Sequence, residues 1–71
     1  MVNSDKIKGR MREKKFTQAS FGEVVQVSET TVCQKVNNKV PMTLDEATEW
    51  AKHLDITDPE FGEFFFYHPV A

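Results

Sequence analysis

The sequence predicts an all-α domain, and three observations carry that reading. Apolar residues recur at three- and four-residue spacing along most of the chain. Ser, Thr, Asn or Asp stands just before these runs, where a helix needs a cap for its free amides. With 71 residues, no internal repeat, no low-complexity tract and no Gly/Ser linker, the chain has room for one domain, residues 1–71.

The first helix is expected from about Asp5 to Lys14, capped by Asn3 or Ser4, with Ile7 and Met11 facing the core at i, i+4 spacing. Its other positions are mostly basic. Thr17 opens the second helix as N-cap, with Phe21, Val24 and Val25 on one face and Gly22 between them, small enough to admit a close neighbour. Gln26-Val27 forms the turn. Ser28 caps a third helix running to Asn37, where its hydroxyl can accept from the amide of Thr30 or Thr31.

At 100° per residue, Val32 and Val36 make an inward seam on that third helix, while Thr30, Gln34 and Asn37 fall on the far side, flanked by Thr31 and Asn38. The outward stripe is polar, uncharged and short-chained. A solvated face more often carries Glu and Lys pairs, whereas Thr, Gln and Asn can donate, accept and touch thymine methyls at base edges. Downstream, Thr43-Leu44-Asp45-Glu46 reads as a capping box, and Leu44, Ala47, Trp50, Ala51 and Leu54 form the apolar set of a fourth helix. Thr57 or Asp58, followed by Pro59, starts a fifth. Phe61, Phe64 and Phe65 have helical spacing, yet Phe64-Phe65-Phe66-Tyr67 is also a strand-loving run, so helix and extended chain both stay open for the aromatic tail, residues 61–71. Those four aromatics either finish the monomer core or pair with a second copy.

Residues Thr17, Gln18, Gly22, Gln26, Val27, Ser28, Thr31, Val32, Cys33, Asn37, Asn38 and Lys39 together resemble the helix-turn-helix of lambda-repressor-like phage Cro and repressor domains. No gap is required. The likeness extends from about residue 5 to 57 and implies a five-helix frame with the helix-turn-helix at about 17–37. The chain departs from the pattern in three ways. Gln26 occupies a left-handed turn position usually given to Gly, at a cost of about 1 kcal/mol unless the turn relaxes. Asn38 replaces the Gly that ends the recognition helix, and Asn is the next best left-handed cap. Met11 and Val36 stand where some relatives bury an Arg–Glu pair, an apolar exchange that avoids desolvating two charges.

The resemblance implies a sequence-specific regulator that binds double-stranded DNA, a Cro-like repressor occupying a palindromic operator as a homodimer. Thr30 and Gln34 are the expected base readers, with Glu29 and Thr31 as helpers. Gln18, Ser28, Asn37 and Lys39 would contact phosphates. The basic side chains of the first helix either reach phosphates as well, Arg10 and Lys6 foremost because they lie nearer its start, or merely solvate the helix. The net charge of −2 argues against such a partner until its distribution is considered. Residues 1–40 hold eight Lys and Arg against four Asp and Glu, and residues 41–71 hold one against seven. The cationic half contains the recognition helix.

Other chemistry finds little support. Cys33, His53 and His68 lack metal-ligand spacing, and neither a nucleophile–base pair nor a Gly-rich phosphate loop is present, so no enzyme, metal or cofactor is expected. The lone cysteine, the absence of a signal-peptide pattern and the lack of a long apolar run predict a soluble cytoplasmic protein, with neither a membrane nor a small-molecule partner. The rival function is a protein-interaction module of antirepressor or antitoxin type, displaying the acidic half and the aromatic tail on the same scaffold.

Overall fold

Each helix begins where a short polar side chain can accept from an amide left free in the first turn. In the computed structural model, which describes residues 1–66, these starts give α1 (Ser4–Glu13), α2 (Gln18–Val25), α3 (Glu29–Val36), α4 (Leu44–His53) and α5 (Asp58–Phe65). The described residues contain no strand, so the expected all-α class with five helices holds. Asn3 caps α1 by accepting from Lys6 N–H, and Ser28 caps α3 by accepting from Thr31 N–H. Thr43 forms the expected reciprocal box with Glu46. Thr17 forms one with Ser20, where the usual pattern has Glu or Gln. Thr57 starts α5 with no side-chain bond, leaving Pro59 in the first turn to set the helical φ.

The corners between helices are tight and are made without glycine. Lys15, Gln26, Asn38 and Asp55 all have positive φ, at 63°, 62°, 59° and 54°. The turn at Gln26 has therefore not relaxed away from the left-handed region. Asn38 offsets its own strain by pairing its side-chain amide with the backbone of Val2, accepting from Val2 N–H at 2.9 Å and donating to Val2 O at 3.0 Å. Gly22 matters for a different reason. A Cβ there would lie 2.6 Å from the carbonyl oxygen of Val27 and 3.4 Å from a Val32 methyl, so only glycine lets the chain after the turn fold back onto α2.

The core takes Ile7 and Met11 from α1, Phe21 from α2, Val32 and Val36 from α3, and Ala47, Trp50, Ala51 and Leu54 from α4 and its end. Phe21 is fully buried at its centre, edge-on to Phe16 at 5.2 Å and to Trp50 at 4.9 Å. Met11 and Val36 are both buried, so the apolar pair fills its place between α1 and α3. Two expected core residues are not core. Leu44 is 61 % exposed and Val24 40 % exposed, since each lies at the solvent edge of its helix's apolar stripe.

The aromatic tail resolves in favour of helix as far as Phe65. Phe64 and Phe65, candidates for dimerisation, are buried within the chain at 6 % and 4 % exposure, while Phe66 leaves the helix and is 52 % exposed. Of the two alternatives left open by the sequence, their burial favours the one in which they finish the monomer core. Tyr67, the fourth candidate, and His68 lie outside the described residues.

Gln26→Gly should raise stability by about 1 kcal/mol, since it removes the Cβ penalty of a left-handed residue. Gly22→Ala should lower it by about 1–3 kcal/mol through overpacking. Urea denaturation of both variants checks the pair, and opposite signs are required.

Candidate nucleic-acid interface

The segment α2–turn–α3 turns its polar residues outward because Phe21, Val32 and Val36 consume the inward faces. On α3, Glu29, Thr30 and Gln34 are exposed, and none of their side chains bonds to another described residue. Thr31 differs. It is half-buried, and its hydroxyl lies 2.9 Å from that of Ser28, which also accepts from Thr31 N–H at 3.1 Å. The two hydroxyls complete the helix cap, so the free outward set is Glu29, Thr30 and Gln34. Glu29 in the first turn also complements the positive end of the helix.

Around this stripe the cations of α1 divide into two groups. Lys6 pairs with Glu63 at 2.8 Å and Arg10 with Glu60 at 3.1 Å, both on α5, and Lys14 just after α1 pairs with Asp55 at 2.6 Å. Arg10 is committed further. Its guanidinium donates to the carbonyls of Leu54 and Asp55 at 2.9 and 3.0 Å, pairs with Glu13, and stacks over Phe64. Arg10, one of the expected phosphate contacts, fastens the junction of α4 and α5 in the free chain and is paired there with the acidic half.

The other flank of α1 stays available. Lys8 and Arg12 form no ion pair among the described residues, and with Thr17 and Gln18 they line one groove between α1 and the start of α2. Lys8 also donates to Asn37 Oδ1 at 3.0 Å, while Asn37 donates from its amide to the Cys33 carbonyl at 2.9 Å. Gln18, Arg12, Lys8 and Asn37 are therefore linked as a strip from the start of α2 to the end of α3. Exposed Lys39 follows two residues on. Read from the sequence, Lys8 and Arg12 were not separated from the other basic residues of the first helix. The available signal was angular: they sit on one side of the Ile7–Met11 seam, and Lys6 and Arg10 on the other.

Lys35 was counted with the basic half, yet it is buried at 8 % exposure. Its ammonium lies 2.8 and 2.6 Å from the two carboxylate oxygens of Glu46 and 3.4 Å from the Pro41 carbonyl. The exposed Cys33 is a free thiol on α3. Among the described residues no cluster of His, Cys, Asp and Glu could hold a metal, and no helix is long and apolar enough to cross a membrane.

Residues 2–68 match the family described as a protein of unknown function, DUF739. The chain belongs to that family. No curated protein matches it.

In this DUF739 chain the Lys35 ammonium, followed by the Thr43 amide, holds the Glu46 carboxyl below the ordinary carboxylate range. Lys14 does the same for Asp55, and Lys6 for Glu63, both on the open surface. A carboxyl whose pKa is depressed on folding contributes stability above its unfolded value, about 4.3 for Glu, and loses it as pH falls through the folded value. Stability in urea should therefore decline as pH falls below about 4.3. Glu46→Gln, which keeps an acceptor for Thr43 N–H, should flatten part of that decline, and an unchanged pH profile would remove Glu46 as its source.

Proposed function

We propose that this chain is a sequence-specific regulator that binds double-stranded DNA through a lambda-repressor-like helix-turn-helix formed by α2 and α3. The observation carrying the reading is the pairing of two surfaces. Glu29, Thr30 and Gln34 present free hydrogen-bonding groups along α3, and Gln18, Lys8, Arg12, Asn37 and Lys39 lie along the adjoining strip. Base edges need the first, and phosphates need the second.

In this mechanism α3 enters the major groove by its N-terminal end. Gln34 bonds adenine bidentately, or guanine through single bonds, and Thr30 reads the neighbouring edge. Glu29 accepts from cytosine N4 while repelling phosphate, so it sharpens choice more than it strengthens binding. The α2 N-terminus with Gln18 and the flanking cations fix the register on the backbone. Two copies on half-sites one turn apart, about 34 Å, would read a palindrome, and occupancy would exclude polymerase. The activity requires neither catalysis nor a cofactor, and the free Cys33 thiol suits a reducing cytoplasm.

One observation favours the rival reading as a protein-interaction module. Exposed Leu44 lines a groove with Ala51, Ile56 and Phe61 beside Asp58 on the acidic half. Gel shifts across a salt series separate the two, because a DNA binder retards random duplex at low salt and an interaction module does not.

Selection from a random duplex pool should return a palindrome. Gln34→Ala should then cost about 1–3 kcal/mol on the selected site and relax choice at one base pair. Lys8→Ala and Arg12→Ala should each weaken all duplexes alike and reduce the salt slope by about 1. Arg10→Ala should instead lower the unfolding midpoint and leave that slope unchanged. Equal losses on selected and random duplex for Gln34→Ala would remove α3 as the reading helix.

A further inference from the structure

Lys35 is the charged side chain that the fold buries among the described residues, and its effect on Glu46 does not by itself explain why a charged pair stands there. Desolvating an ammonium is costly, and an apolar side chain of similar length is often equal or better in such a place. Geometry offers another account. The Lys35 ammonium at the end of α3 holds both oxygens of Glu46 at the start of α4 and the Pro41 carbonyl in the loop between them. Glu46 Oε1 also accepts from Thr43 N–H at 3.0 Å, so one carboxylate joins the Lys35 ammonium to the first turn of α4.

The loop 37–42 is fixed at its other end as well. Lys39 N–H and Val40 N–H both donate to the Gln34 carbonyl, at 2.7 and 3.3 Å, and left-handed Asn38 pairs with Val2. Lys39 stands between these two anchorages, exposed and without an ion pair among the described residues. Its long stem is free, but the backbone from which it reaches is not.

We infer that Lys35 and Glu46 are positioning residues: their clamp on Pro41 and Thr43, with Lys35 buried and Glu46 half-buried, holds the α3–α4 loop so that Lys39 is aimed at a phosphate of the bound duplex. The inference rests on the DNA-binding reading for its ligand, while the clamp itself is a property of the free chain. Lys35 touches no duplex, because its own charge is buried and spent on Glu46.

The test uses the full chain and the double variant K35M/E46Q, which removes both charges together and keeps a side-chain acceptor for the Thr43 amide. Hydrogen exchange should accelerate at least tenfold at the Lys39 and Val40 amides while the amides of Phe21 and Leu54 keep their protection. Duplex affinity should fall about tenfold on selected and random sequences alike, with the salt slope reduced by about 1. Adding K39A to the double variant should then cost nothing more, because the contact it removes is already lost. Unchanged exchange at Lys39 and Val40 in a variant that still binds duplex would overturn the clamp and leave the DNA reading standing. A full further loss on adding K39A would show that the pair does not act through Lys39. Failure of the wild-type chain to retard any duplex would remove the ligand, and with it the inference, even if exchange did accelerate. Glu46→Gln alone supplies the same readouts if the double variant does not fold.

Discussion

The Val27 carbonyl occupies the space that a Cβ on Gly22 would need, so the close packing of the turn on α2, and with it the outward surface of α3, depends on that glycine. An eight-residue helix is too short to persist alone in water, since nucleation is costly and few bonds repay it. Tertiary contact must therefore hold α3. Val32 and Val36 supply the burial, but the corner supplies the direction, with Gln26 forced to φ 62° so that Val27 can turn back over a residue lacking Cβ. Strain at Gln26 and the missing side chain at Gly22 are two sides of one constraint. Moving either would rotate the face that carries Thr30 and Gln34.

Charge is arranged around the same frame. With Ile7 and Met11 turned inward, α1 has two flanks, and the chain uses them differently. Glu60 and Glu63 from α5 engage one, and the other is left to Lys8 and Arg12 beside α2 and α3. Exposed pairs such as Lys6–Glu63 contribute about 0–1 kcal/mol each, so stability is not the main consequence. What changes is the field. The acidic half cancels cations on the side away from α3, and a chain of net charge −2 still offers a cationic strip next to its polar helix face.

Local features were legible in the sequence, and long-range ones were not. Caps at Asn3, Thr17, Ser28 and Thr43, the seam of Val32 and Val36, and the apolar pair Met11–Val36 depend on spacings within a helix or on one substitution in a known pattern. Leu44 and Val24 misled because periodicity defines a stripe and not which edge of it a neighbour covers. Phe64 and Phe65 were ambiguous for a related reason, as composition favoured a strand while spacing from Phe61 favoured a helix, and only packing against α1 decided. The commitments of Arg10 and Lys35 were not legible because their partners, Leu54, Glu60 and Glu46, lie 44, 50 and 11 positions away. Charge sign can be counted from a sequence, but the commitment of a charge to a partner cannot.

On the proposed reading, the locked hydroxyls of Ser28 and Thr31 carry an implication for assembly. They leave Glu29, Thr30 and Gln34 to distinguish bases. A good base contact discriminates by about 1–3 kcal/mol, so three readers supply roughly 3–9 kcal/mol per chain. Competition from about a million non-specific sites alone is worth roughly 8 kcal/mol at 1.4 kcal/mol per tenfold. One copy of α3 therefore sits at the edge of what is needed, and Glu29 helps more by penalising wrong sites than by adding affinity. Two copies on a symmetric site double the discrimination while the phosphate strip is repeated unchanged. On that reading, the demand for a second subunit would arise from how few side chains α3 leaves free, independently of which surface would bring two chains together.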